Sequence, residues 1–381
     1  MAFIVLKTKS LKFKSKEVNL GMKPFKKNIL VFRIGQIGDT VAALPSLWVL
    51  RRQFPDAHIV VLSELPARST HLPPETVLPS QGLVDGFEKY PGGASVRNFF
   101  AARRQIIRLR KQGFNTLVYL VPSARTKRQR LRDRFFFRLC GIRHLLATQG
   151  FSENQKPKAP HGSLVPLKKE ADALLERLRF DGLRVPTPGA GCMDLRITDA
   201  ERASANHWWQ QKGGAQPGPN GWVAICVGGK TSTQLWPLER YAEVGRLLIE
   251  KHGLFPVIIG GREDRKTGDE LLSQWGTGLC AAGELNVRES AALMEGAQFY
   301  LGNDTGAMHL AAAVGRPCVA IFSARNWPGV WEPYGKGHKV LRFDVPCSGC
   351  HLAVCDQQLQ CLTNIQVQDV YQACNEVLAR T

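Results

Sequence analysis

The chain has 381 residues, 44% hydrophobic and 22% charged, the balance of a globular protein and not of a disordered or fibrous one. That length exceeds one ordinary core, so two domains are expected, and no apolar run approaches the ~20 residues of a membrane-spanning helix. Against 32 Asp and Glu stand 51 Lys and Arg, a formal charge of +19 that draws anionic partners such as nucleic acid, lipid headgroups or phosphorylated glycans.

Residues 1–27 form a basic extension, with Lys7, Lys9, Lys12, Lys14 and Lys16 too frequent for a secretory signal and Met22 as an alternative start. The apolar run Ile29–Ile34 then predicts a strand. Gly35 and Gly38 follow it, and Val41, Leu44, Leu47 and Leu50 mark one face of a helix over Thr40–Gln53. His58–Leu62 is a second strand, which completes a βαβ unit of the buried parallel kind. A helix over Arg97–Gln112 leads to a strand at Leu117–Val121.

Proline and glycine cluster between about Gly182 and Gly221, with one short helix at Ala200–Gln211, and this stretch reads as the interdomain linker. The alternation then starts afresh. Strands are expected at Val223–Val227, Val257–Ile259, Phe299–Leu301 and Cys318–Phe322. Helices are expected at Leu238–Lys251, Asp264–Gln274, Val287–Glu295, Ala307–Val314 and Val367–Leu378. The fold class is therefore α/β, with two Rossmann-like doubly wound domains facing each other: 28–185 and 222–381, joined by 186–221.

Three strand-to-helix turns carry polar chemistry. Gly35–Thr40 places Asp39 at a helix start, where a carboxylate either caps the helix or serves a ligand. Gly302–His309 offers the Thr305 hydroxyl and the amides of Thr305 and Gly306 to a pyrophosphate, with Asp304 and His309 alongside. Val227–Pro237 combines Gly228, Gly229, Lys230 and Thr231 in a phosphate-cradle pattern, though without the spacing of a Walker loop.

The opening Ile29–Leu50, Phe54–Ala57, the Trp236-Pro237 loop and Asn303–Ala313, in that order, resemble the ADP-heptose heptosyltransferases of glycosyltransferase family 9. The resemblance runs from about residue 28 to the C-terminus, with a poorly matched middle. It implies the GT-B architecture, with donor held by the C-terminal domain and acceptor by the N-terminal one. It also implies an inverting, metal-independent enzyme that moves heptose from ADP-heptose to an anionic glycan or glycolipid such as the lipopolysaccharide inner core.

Asp39 matches the family's general base, which takes the proton of the attacking hydroxyl. The Asp304–Gly306 turn matches the family's donor contacts, and with it Gly228, Gly229, Lys230, Thr231, Gln234, Trp236, Glu289, Asp304, Thr305, Gly306 and His309 are the donor-side candidates. Two departures bear on the donor: Gln234 stands where the family has lysine, with Lys230 as its substitute, and Glu289 is displaced by one residue from the family's ribose contact.

Arg125, Lys127, Arg128, Arg130, Arg132 and Arg134 run into Phe135-Phe136-Phe137. A solvated helix face explains most such runs. With only Asp133 to balance it and three aromatics after it, this one also suits an anionic lipid or glycan. Gly38, Arg125, Arg128 and Arg132 are thus the acceptor-side candidates, on a cytoplasmic enzyme that touches the inner face of the membrane. Cys347, Cys350, Cys355 and Cys361 pack four thiols into fifteen residues, a spacing that admits structural zinc, disulfides or free thiols; catalysis requires none of these. Two other readings are a GT-B enzyme with a different nucleotide sugar or acceptor, and a basic nucleic-acid binder. No basic sheet interleaved with aromatics, of the kind an RNA-recognition domain carries, supports the latter.

Overall fold

The computed structural model describes residues 28–64, 72–79, 81–90, 96–151, 164–213 and 220–380. The basic extension and its alternative start lie outside them, as do linker residues 214–219. The first domain runs β1 (Asn28–Phe32), α1 (Ile37–Gln53), β2 (His58–Glu64), β3 (Gly86–Tyr90), α2 (Val96–Gln112), β4 (Thr116–Tyr119), α3 (Lys127–Leu139), β5 (His144–Leu146) and α4 (Glu170–Phe180). Its five strands are parallel in the order β3-β2-β1-β4-β5, with Leu30 of β1 opposite both Val60 and Leu117. The central strands are apolar on both faces because helices cover both. On one face Leu109 of α2 and Phe137 of α3 join Leu30, Phe32 and Leu62; on the other α1 and α4 pack through Val41, Leu44, Leu174 and Leu178.

The second domain takes in α5 (Asp199–Gln211), β6 (Trp222–Cys226), α6 (Leu238–His252), β7 (Phe255–Ile258), α7 (Arg265–Trp275), β8 (Leu279–Cys280) and α8 (Val287–Met294). It continues with β9 (Tyr300–Asn303), α9 (Gly306–Ala313), β10 (Cys318–Phe322), β11 (Lys339–Arg342), α10 (Gln360–Thr363) and α11 (Val367–Leu378). Its six parallel strands are ordered β11-β10-β9-β6-β7-β8. In each sheet the winding reverses beside the first strand, between β1 and β4 and between β6 and β9, and ligands of open α/β sheets sit at such reversals. All three polar turns lie there.

The two halves are fastened along one side. Leu167 N–H donates to Pro328 O (2.9 Å) and Glu170 N–H to Val330 O (3.0 Å). The buried Arg288 guanidinium donates to Val77 O in the first domain, to Leu195 O and Arg196 O, and to Glu201. Helix α5, inside the predicted linker, packs against α8 and belongs with the second domain. Among the described residues no helix is long and apolar enough to cross a membrane.

Candidate active site

The turn after β1 is shaped by Gly35 at φ +119°, where a side chain would be strained and would collide with Asp39. That lets Asp39 fold back: its Oδ2 accepts a hydrogen bond from Gln36 N–H (2.8 Å) and its Oδ1 lies 3.5 Å from Arg33 Nη2. The side chain remains 20% exposed. Asp39 is thus not the N-cap, which is Gln36, but the third residue of the helix, whose carboxylate reaches back to Gln36 N–H and so has its direction fixed. Arg33 is fully buried, donates through Nη1 to Leu120 O (3.0 Å) and leaves Nε and Nη2 without a hydrogen bond. Burial lowers its pKa, with Asp39 and Glu170 opposing.

Helix α1 meets α9 across the interdomain gap through two glycines. A methyl group on Gly38 would come within 2.7 Å of His309 Cδ2, and one on Gly306 within 2.9 Å of Ile37 Cβ. His309 is buried, edge-on to Trp331, and desolvation pushes its pKa down to about 4, so it is neutral near pH 7. Asp304 moves the other way. Desolvation raises its carboxyl to about 7, with the Asp39 charge adding and Gln234 and Arg325 opposing. Asp39 follows Gly38, which lies against His309, and Asp304 precedes Gly306, which lies against Ile37, so the three residues belong to the same helix-to-helix contact.

Thr305 is the N-cap of α9, yet its hydroxyl does not cap; it pairs with Tyr300 Oη (3.2 Å). The first N–H groups of α9 therefore lack a side-chain cap, which suits an anion. Asn303, wholly buried, organises the neighbouring loop. Its Nδ2 donates to Val227 O and Gly228 O, and its Oδ1 accepts from Trp236 N–H and Tyr241 O–H. Gln234 Nε2 donates to Asp304 O (3.2 Å), and Thr231 Oγ1 to Gln234 Oε1 (3.2 Å). Gly228 is required by a close approach: a Cβ there would strike the Asp264 carboxylate. Gly229 and Lys230 are exposed on the same loop.

Several expected ligand contacts have other work. Trp236 is buried, donates from its indole to Ile365 O (3.0 Å) and packs edge-on against Tyr241, so it anchors the loop to the core. Both Glu289 oxygens are engaged, one by Asn286 N–H and one by the Ser204 hydroxyl, which ties α8 to α5. Arg125 Nε and Nη2 donate to Asp133, which also accepts from Tyr119 O–H, so Arg125 locks the start of α3. Arg132 shares Asp133 but stays largely exposed, and Arg128 is exposed. Cys347, Cys350, Cys355 and Cys361 do line one cavity of about 20 Å³ with Thr233 and Arg325. Among the described residues no group of three or more His, Cys, Asp or Glu side chains is placed to hold a metal ion. Sequence reasoning passed over Arg33 and Arg325, which sit in no glycine motif, and Asp264, which closes the Gly260-Gly261 turn beside Gly228.

Residues 186–360, a little under half of the chain, match glycosyltransferase family 9 (heptosyltransferase). Lipopolysaccharide heptosyltransferase 2 of Escherichia coli is 30% identical over 127 residues, 32% of this chain and 36% of the relative; the Salmonella typhimurium counterpart is 30% identical over 129 residues. These alignments span about a third of the length of the curated relatives. In fold the likeness is nearly complete. A glycosyltransferase family 9 structure from Veillonella parvula superposes with a TM-score of 0.70 at 18% identity, covering 93% of this chain and 98% of that one. The Escherichia coli ADP-heptose LPS heptosyltransferase II structure gives 0.65 at 20% identity, covering 93% and 99%. The architecture is therefore GT-B, and the resemblance to the family's heptosyltransferases holds in sequence over the second half and in fold over almost the whole chain.

Proposed function

Starting from that family likeness, we propose that the protein is an inverting glycosyltransferase that moves heptose from ADP-heptose to an anionic glycolipid or glycan, such as the lipopolysaccharide inner core. The observation that carries this reading is the meeting of the Ile37–Asp39 start of α1 with the Gly306–His309 start of α9 across the interdomain gap. A donor diphosphate on the uncapped N–H groups of α9 would set the anomeric carbon toward the first domain. Asp39 would take the proton of an acceptor hydroxyl as its oxygen bonds to that carbon. The bond from the carbon to the diphosphate oxygen breaks in the same step, ADP departs as the anion, and attack from the opposite face inverts the centre.

The acceptor side is basic and partly apolar. Helices α2 and α3 lie on one face of the first sheet and expose Phe100 (62%), Leu131, Phe135 (66%) and Leu139 among arginines. This mixture suits the surface of an anionic membrane, where stems bury and charges meet headgroups. Peripheral contact with the inner face of the cytoplasmic membrane fits such an acceptor.

The experiment is a donor panel. ADP-heptose, ADP-glucose, UDP-glucose and GDP-mannose are each mixed with the protein and a core-oligosaccharide acceptor, and the product is identified by mass. A heptosylated product from ADP-heptose, with little from the others, is expected. Transfer of a hexose in preference would move the assignment to another donor within the same architecture.

A further inference from the structure

Past the end of β10, beside the Asp304 turn of β9, stands Arg325. Its Nη1 donates to Thr231 Oγ1 (3.3 Å) and its Nη2 to His351 O (3.1 Å), while its Nε is buried with no hydrogen-bond partner. No carboxylate among the described residues lies within ion-pair distance of it. The other basic side chain at this turn, Lys230, is exposed, and Gln234 is neutral. A half-buried guanidinium with an unspent donor, next to a hydroxyl and an uncapped helix start, is an arrangement that an anion completes.

We infer that Arg325 contacts the donor diphosphate and supplies the positive charge of this site. The inference rests on the donor reading above and adds the residue that distinguishes a diphosphate from a nucleoside. Arg325 is not free to swing, because the cysteine-bearing loop straps it down. Gly349 N–H donates to Ala324 O (2.7 Å), His351 N–H to Arg325 O (3.1 Å), and Thr233 Oγ1 to Leu352 O (3.0 Å). That loop, through Gly349, His351 and Leu352, thus holds both Arg325 and the Thr231–Gln234 turn in position.

The test is calorimetric titration of the full chain with ADP, AMP and adenosine for wild type, Arg325→Ala, Arg325→Lys and the double variant Arg325→Ala with Gln234→Lys. Arg325→Ala should weaken ADP by roughly tenfold or more, AMP by less, and adenosine by under about twofold. Arg325→Lys should recover part of the loss. The double variant should as well, because the Gln234 amide already lies between Asp304 O and Thr231. Unchanged ADP affinity in Arg325→Ala overturns the inference and leaves the donor reading intact. An equal loss for ADP and adenosine overturns it too, since that marks a collapsed loop and not a lost phosphate contact. A wild type that binds no adenine nucleotide overturns both.

Discussion

Gly38 lies against His309 so closely that a single added methyl would reach within 2.7 Å of the ring's Cδ2. The reciprocal contact, Gly306 on Ile37, sits one turn away across the same gap. Two helix starts from different domains thus approach on glycine, and the separation of Asp39 from the Asp304–Gly306 turn is set there. Gly306→Ala should cost about 1–3 kcal/mol of stability through overpacking. It should also lower turnover by more than about tenfold, since a sub-ångström shift of reacting groups is felt strongly. Adding Ile37→Ala to that variant should restore part of both, read by thermal melting and by ADP release. Additive losses in the double variant would remove the steric explanation.

A pH test follows from Asp304. Its folded-state pKa, about 7, lies above the value of an unfolded aspartate, so between about pH 4 and 7 the folded chain keeps a proton that the unfolded chain has released. This group's contribution to stability therefore falls as pH rises through that window and levels off above it. On the proposed donor site the ionised carboxylate would face the diphosphate, so ADP should bind less tightly at pH 8 than at pH 6. Asp304→Asn should flatten both dependences. His309, depressed to about 4, acts in the opposite sense: its contribution is lost as pH falls through 6.5. In Asp304→Asn the remaining slope of stability between pH 4 and 6.5 should thus be positive, as denaturant titrations across pH would reveal.

The exposed faces of α2 and α3 make a separate prediction. Vesicles containing phosphatidylglycerol should sediment the protein at physiological salt, and pure phosphatidylcholine vesicles should not. Leu131→Ser with Phe135→Ser should weaken binding several-fold, and Arg128→Glu with Arg134→Glu should abolish it, while ADP affinity stays as in wild type in both. Binding equal on the two vesicle types, or indifferent to all four changes, would leave these helices as ordinary solvated faces.

Most of the fold is written in short apolar runs and helical spacing. The strands β1, β2, β6 and β10 and the helices α6 and α11 are legible because buried parallel strands carry no polar alternation and their helices bury one stripe. The edges are harder. Gly86–Tyr90 and Lys339–Arg342 are outer strands with mixed side chains, and His144–Leu146 is three residues long, too short for a period to emerge. Helix α4 does carry a signal, Ala171, Leu174, Leu175 and Leu178 at helical spacing, but no motif draws attention to it.

At the site, Asp39 and the Asp304–Gly306 turn stand in glycine-bounded strand-to-helix turns that the sequence displays. The direction of the Trp236 indole, into the core toward Ile365 O, is not written there, because a motif says which residues are kept together and not which way a side chain points. Arg325 escapes such motifs entirely: it lies past β10, far in sequence from Thr231, and the sheet order β10-β9-β6 brings the two together.

The most direct measurement is acceptor-dependent release of ADP from ADP-heptose by wild type, Asp39→Asn and Asp39→Ala, with ADP affinity measured in parallel. Removal of a general base should lower kcat by at least about a hundredfold, while both variants keep ADP affinity within a few-fold of wild type. Turnover at the wild-type rate in either variant would contradict the role assigned to Asp39.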